Sequence, residues 1–312
     1  MASNRTIPVW VTVLLWVGVA DAAKKCPPGT AKSFLMGFMG HTGSTAAMSM
    51  LHKHTYLDVA WPLVEPMMNH NATTGCDWTR TFFEEPRTTI PGFKLRPHKV
   101  LDDKERWTKL IDDYEVRFVR MIRENLFKAG IGLYSVRVLE DKAAVQGLMK
   151  GEEDHCQVHP ESCYFDVESI KLLAGLMHTV HEGNESVEKL AREMNWSCVL
   201  DITYEELQRN GEKLMKRIEN FLGIPYEGHR PDFQKALGDN PCDVVLNYQD
   251  ICGYFYNCPL FRPFVEDEEV GCVCENKEGM DDPVLCDHEL LKRAIREDPN
   301  EDLKQIGDTR PK

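Results

Sequence analysis

Positive charge is scarce in this chain: 37 lysines and arginines stand against 50 aspartates and glutamates, a formal net charge of −13 over 312 residues. Such a protein has no broad basic surface, so general nucleic-acid binding is disfavoured, and any anionic ligand must be held by a small local site. Long apolar runs are scarce as well. Beyond the first twenty-odd residues, no segment is long and apolar enough to span a bilayer. Internal repeats are absent, as are the compositional biases of collagen, coiled coils and wholesale disorder. With 42% hydrophobic residues, the chain is long enough for one domain with a substantial core and a small appendage.

The exceptional apolar run is at the start. Arg5 precedes a stretch from Ile7 to Ala20, and Ala20-Asp21-Ala22 stands just before Lys24 and Lys25. A basic start, a short apolar stretch and small residues at A-x-A spacing describe a cleavable signal peptide over 1–22. The alternative is a signal anchor, with membrane contact only if the segment stays uncleaved. Either way the rest is expected in the secretory pathway, in the Golgi lumen or secreted. All eleven cysteines follow this segment, and in an oxidising compartment most should pair, leaving an odd one over. Cys156 and Cys163 flank a polar loop and are expected to pair across it. Glycan acceptor triplets begin at Asn71, Asn184 and Asn195. Asn195, abutting a predicted strand, is expected to be the least used.

Strand and helix signals alternate. Ser33 to Met39, Gly92 to Arg96, Val116 to Ile122 and Ser197 to Thr203 read as strands. Ser44 to Leu51, the stretch from Glu124, Phe165 to Glu182 and Lys213 to Leu222 read as helices, the last closed by Gly223 and Pro225. This order predicts an α/β three-layer sandwich with a mainly parallel central sheet. The expected division is a main domain over 23–265 and an acidic, cysteine-tacked tail over 266–312. In the tail Cys272-Val-Cys274, Cys286 and His288 admit a zinc reading, but the spacing and an exported chain favour disulfides.

The best chemical signal is a strand, glycine loop and helix over 34–51. Gly37, Gly40 and Gly43 let backbone N–H groups approach an anion at a helix N-terminus, and Ser44 and Thr45 add hydroxyls. The nucleoside-triphosphatase loop is excluded, because Ser44 stands where that loop has lysine. A nucleotide-dependent kinase is disfavoured on the same ground, and no acidic metal site is evident.

Four segments in order carry a resemblance. Phe34-Leu-Met-Gly-Phe-Met-Gly-His-Thr-Gly-Ser-Thr45 resembles the 5′-phosphosulfate loop of sulfotransferases. Val119-Arg-Met-Ile-Arg-Glu-Asn-Leu-Phe-Lys-Ala129 resembles their 3′-phosphate motif. Val199 to Leu207, with the later Phe221-Leu-Gly-Ile-Pro225, resembles their third block, and Asn247-Tyr-Gln-Asp-Ile251 a late segment. The likeness covers roughly residues 33–265 and is closest in flavour to Golgi carbohydrate sulfotransferases. It implies 3′-phosphoadenosine 5′-phosphosulfate as co-substrate, no metal, and nucleotide at the strand ends.

Carried onto this chain, Gly40, His41, Thr42, Gly43, Ser44 and Thr45 would cradle the 5′-phosphate and sulfate. His41 stands where many family members have Lys or Arg, and would donate to the bridging oxygen. Arg123 would bind the 3′-phosphate. Gly132 stands where the family usually has serine, and Ser135 is the expected substitute. Glu65-Pro66, after Trp61-Pro-Leu-Val64, resembles the Glu-Pro step that carries the family's base. Apolar neighbours Trp61, Leu63 and Met67 would raise its pKa, as suits a base. His70 is a second candidate. Lys94 and Arg96 are placed to hold sulfate or an anionic acceptor. The acceptor is expected to be a carbohydrate or another hydroxyl compound. A non-catalytic nucleotide- or glycan-binding protein on the same fold is the alternative, suggested by His41 and Gly132.

Overall fold

The computed structural model of the protein describes residues 26–60, 65–138, 155–231, 237–238, 240–275, 277 and 282–297. The signal-peptide segment, Trp61 and Leu63 lie outside them. Five strands form one parallel sheet: β1 (Ser33–Gly37), β2 (Leu57–Val59), β3 (Ile90–Leu95), β4 (Val116–Ile122) and β5 (Val199–Thr203), in the order β2-β3-β1-β4-β5. The principal helices are α1 (Ser44–His52), α2 (Ala72–Glu84), α3 (Lys104–Asp113), α4 (Leu126–Val138), α5 (Ile170–Glu193), α6 (Tyr204–Leu222), α7 (Tyr248–Phe255) and α8 (His288–Glu297).

Side-chain alternation along the strands decides which helix lies where. Phe34 and Met36 of β1, with Val119 and Met121 of β4, pack under α1 and α6. Leu35, Phe93, Leu95 and Phe118 point the other way, into a core closed by α2, α3 and the later half of α5. Every residue of β1 and β3 is buried, as a parallel sheet covered on both faces requires. The three-layer α/β expectation is met.

Close packing at Gly92 shows how tight the sheet is. The register pairs Phe34 with Gly92, and a Cβ there would stand 2.0 Å from Phe34 Cε1. That ring is fully buried and has nowhere to go. Gly92→Ala is therefore expected to cost roughly 1–3 kcal/mol, the usual range for overpacking. Urea unfolding reads this as a lower midpoint at unchanged slope; an unchanged midpoint would mean the ring can move aside.

A second core lies beside the sheet, between α4, the first half of α5, α7 and the last described segments. Cys272, Cys274, Leu285 and Leu291 are buried there with Phe127, Leu173, Phe255 and Phe261. Disulfides Cys242–Cys272, Cys252–Cys274 and Cys258–Cys286 tack the acidic segment down. These tail cysteines are thus disulfide partners rather than zinc ligands. Cys156–Cys163 closes the polar loop, Cys26–Cys198 ties the first described residues beside β5, and Cys76 is the unpaired cysteine, buried in α2. Five disulfides fit an oxidising compartment. Among the described residues, no helix is long and apolar enough to cross a membrane.

Candidate active site

β1 and β4 are neighbours, yet the chain leaves β1 towards β2 on one side and leaves β4 towards β5 on the other. Their C-terminal ends therefore frame a topological switch point, where open α/β sheets leave a crevice for ligands. The loop after β1 enters this crevice. His41 (φ 64°) and Gly43 (φ 73°) are both left-handed, the kind of turn that gathers backbone N–H groups into an anion-binding concavity. Gly43 is also the N-cap of α1 and offers no side-chain cap. The first N–H groups of that helix stay available for a ligand. Only glycine fits at 43, because a Cβ would lie 2.5 Å from Tyr204 Cδ2. Gly40 and Thr42 belong to the same loop. Thr42 is buried and turned inward, its hydroxyl donating to the Met39 carbonyl at 2.9 Å.

Arg123, immediately after β4, reaches the loop: Nη1 donates to the His41 carbonyl at 3.0 Å. Its guanidinium lies 4.2 Å from the Tyr204 ring centroid. The residue is only 9% exposed, and its buried Nε has no hydrogen-bond partner among the described residues. Burial pulls its pKa down, against the opposing charges of Tyr204 and Glu205. The turn carrying Arg123 is clamped from α5. Asn184 Oδ1 accepts the Arg123 N–H at 3.2 Å, and its Nδ2 donates to the Arg123 carbonyl at 2.7 Å. Glu205 accepts the N–H groups of Glu124 (3.0 Å) and Asn125 (2.9 Å), capping α4.

Lys94 occupies the other side of the loop. It alternates with Phe93 and Leu95, so it faces α1. Nζ donates to Thr45 Oγ1 at 2.6 Å and to Ser44 Oγ at 3.3 Å, and sits 4.5 Å from the Phe38 ring centroid. Burial lowers its pKa to about 8, with Glu65 opposing and Arg96 adding to the shift. His41 is held at about 4, by enclosure within the loop and then by the charges of Arg123, Arg96 and Arg137, although its outer side is open to solvent. The imidazole is therefore neutral at neutral pH. The positive charge around the loop comes from Lys94 and Arg123, with Arg96 and Arg137 near enough to act on His41.

Glu65 stands near Lys94; Trp61 and Leu63, two of the apolar neighbours expected around it, lie outside the described residues. Both carboxylate oxygens accept from Arg96, at 2.8 and 3.0 Å. Its environment is a guanidinium fork, which is also where the side chain of Arg96 is spent. His70 accepts Lys99 Nζ at its carbonyl, 2.6 Å away. Ser135 is buried in α4 with its hydroxyl turned back to the Gly132 carbonyl at 3.1 Å. At Gly132 itself the nearest atom to a Cβ is Leu237 Cδ1 at 4.0 Å, so a serine has room there.

The structure thus gathers Gly40 to Thr45, Lys94, Arg96, Glu65 and Arg123 around the ends of β1, β3 and β4. Four further residues shape the site in a role the sequence did not single out: Tyr204, Asn184, Phe38 and Glu205. For Asn184 the sequence offered a competing reading as a glycan acceptor. Its amide is instead engaged on Arg123, whereas Asn195 is exposed and Asn71 presents only its oxygen to the α2 cap.

No family model and no curated protein matches the chain. Among solved structures it is similar to a sulfotransferase from Alicyclobacillus acidocaldarius, at 13% identity over 75% of this chain and 95% of that one, with a TM-score of 0.40. It is similar to mouse sulfotransferase SULT7A1 complexed with PAP, at 16% identity over 64% and 62% of the two chains, TM-score 0.32. The sulfotransferase domain from the curacin biosynthetic pathway is similar at 14% identity over 91% and 97%, TM-score 0.34. At such identities and TM-scores the site's own geometry, not the likeness, has to carry any assignment.

Proposed function

We propose that the protein transfers a sulfuryl group from 3′-phosphoadenosine 5′-phosphosulfate to an acceptor hydroxyl. The observation that carries this reading is the Arg123–His41 hydrogen bond at the switch point. It joins two turns, each suited to a phosphate, in one crevice. The buried, unpartnered Arg123 Nε is a donor in want of an acceptor, and an unsatisfied charged donor is costly unless a ligand completes it. The loop N–H groups, the Ser44 and Thr45 hydroxyls and Lys94 supply a second set of anion donors a few residues away.

On this reading the donor supplies a sulfuryl group activated by its phosphate leaving group. The protein's residues position and stabilise. Lys94 and the loop N–H groups take up the negative charge that grows on the departing phosphate oxygen, and His41 adds an N–H donor. The acceptor oxygen bonds to sulfur as the sulfur–phosphate oxygen bond breaks, and the acceptor's proton passes to Glu65, which Arg96 holds in place. One observation favours the second reading, a non-catalytic binder: both Glu65 oxygens are already engaged by Arg96.

Calorimetric titration with 3′-phosphoadenosine 5′-phosphate tests the nucleotide site. Arg123→Ala is expected to weaken binding roughly 10- to 150-fold, the equivalent of about 1.5–3 kcal/mol for hydrogen bonds to a charged group. Arg123→Lys, keeping charge without the fork, should fall between. Equal affinity in all three proteins would remove Arg123 from the site. Binding without turnover of labelled donor on any acceptor would favour the non-catalytic reading.

A further inference from the structure

A groove of about 320 Å³ runs from the phosphate loop between α5 and the segment that follows β3. Met39 of the loop closes its inner end and is seated against Gly183 of α5, where a Cβ would come within 3.0 Å. Pro97 and His98, directly after Arg96, form the wall nearest the reacting groups. His98 lies close enough to Arg96 and Glu65 to feel their charges, so a molecule at this end of the groove approaches the Glu65–Arg96 pair.

The lining has a definite character. Met39, Pro97 and Leu101 make a short apolar strip. The charged rim consists of Asp102, Lys104, Lys189 and Glu193, two of each sign. Both lysines pair with Glu193, Lys189 at 3.6 Å. Burial, with the charges of Lys99 and Arg96, lowers the pKa of His98, so it adds no cation at neutral pH. The rim thus offers an anion no net positive charge, and the chain's net charge of −13 repels one at longer range. Asp102 and Ser186 remain as hydrogen-bonding groups for hydroxyls, while the apolar strip is too short to enclose a large hydrocarbon. The volume is at the small end of ligand pockets, roughly 300–1,000 Å³.

We propose that this groove seats the acceptor and selects an uncharged saccharide over uronate-bearing or already sulfated ones. The proposal rests on the sulfuryl-transfer reading and names the substrate class for that same site. Its physical basis is electroneutrality: the two rim lysines share Glu193 and are offset in sum by Asp102, so an anionic sugar meets no net positive charge there.

Binding of N-acetyllactosamine, its sulfated form and p-nitrophenol is measured by saturation-transfer NMR, with and without 3′-phosphoadenosine 5′-phosphate. The neutral sugar is expected to bind at least tenfold more tightly than its sulfated form. Ser186→Trp, which fills the groove, should abolish sugar binding while nucleotide affinity is unchanged. Glu193→Gln, a substitution at the rim, releases two lysines and should narrow the neutral-over-sulfated preference at least threefold. Preference for the sulfated sugar or for p-nitrophenol, absence of any sugar binding, or indifference to both variants would overturn the assignment. Failure of the wild-type protein to bind nucleotide is a different result: it sinks the sulfuryl-transfer reading, whatever the sugars do.

Discussion

Lys94→Met is expected to lower turnover of labelled donor by about 10²–10³, the usual cost of removing one preorganised donor aimed at developing charge. The ammonium is 3% exposed and bonded to two hydroxyls, with no carboxylate within ion-pairing distance among the described residues. Holding a charge there is unfavourable without an anion, so the lysine is poised for one. Methionine has similar length and no charge, and should leave stability equal or higher. A large activity loss without a stability loss is the signature sought. Turnover within threefold of wild type would take Lys94 out of the chemistry.

The same lysine sets a pH limit. Its pKa in the free protein is lowered to about 8 from 10.5, so the ammonium is present below pH 8 and lost above it. Since kcat/KM reports ionisations of the free enzyme, a basic limb near pH 8 is expected, and Lys94→Arg should carry it upward. His41, at about 4, contributes no limb above pH 5.

Much of this site was legible in the sequence and part of it could not have been. The loop over Gly40 to Thr45 and the turn at Arg123 each announce themselves locally, by glycine spacing and by a strand feeding a helix start. Short apolar runs bounded by turn residues likewise locate four of the five strands to within about two residues. β2 is three residues long and α2 has few large apolar residues on its face, so neither carries a strong periodic signal. Helix α6 begins nine residues before the expected Lys213, because Thr203 and Glu206 form a capping box ahead of a break at Asn210. What sequence could not supply is pairing across the sheet. Lys94 meets Ser44 and Thr45 because β3 lies beside β1 with Met36 opposite Lys94. Glu65 meets Arg96, and Asn184 meets Arg123, across 31 and 61 residues. Within the loop stands His41, and the ammonium that meets the loop hydroxyls comes from a neighbouring strand.

Glu219 should make stability depend on pH at the opposite end of α6, roughly 20 Å from Tyr204 at 1.5 Å per residue. Its side chain is 1% exposed, and Oε1 has no hydrogen-bond partner among the described residues. His54, 3.7 Å away, satisfies both ring nitrogens as a neutral tautomer: Nδ1 accepts the Tyr56 N–H at 3.1 Å and Nε2 donates to the Pro225 carbonyl at 2.9 Å. Oε2 accepts the Glu227 N–H at 3.3 Å, and Glu227 is itself held by Thr55 and His229. Burial therefore raises the Glu219 pKa to about 7 from 4.5. A raised folded-state pKa means stability that is full below pH 4.5 and lost as pH rises through 7, at most roughly 3 kcal/mol. Glu227, held down to about 2 chiefly by its bonds to Thr55, changes stability only as pH falls from about 4.5 through 2. His41 and His178, both lowered to about 4, give the opposite slope between pH 4 and 6.5. The Glu219 contribution is thus read as a difference: Glu219→Gln should match wild type near pH 4 and exceed it by about 1–3 kcal/mol at pH 8 in urea unfolding. A gap of constant size across that range would mean that Glu219 is not the titrating group, and a variant weaker at every pH would mean that the carboxylate is charged and paired with His54.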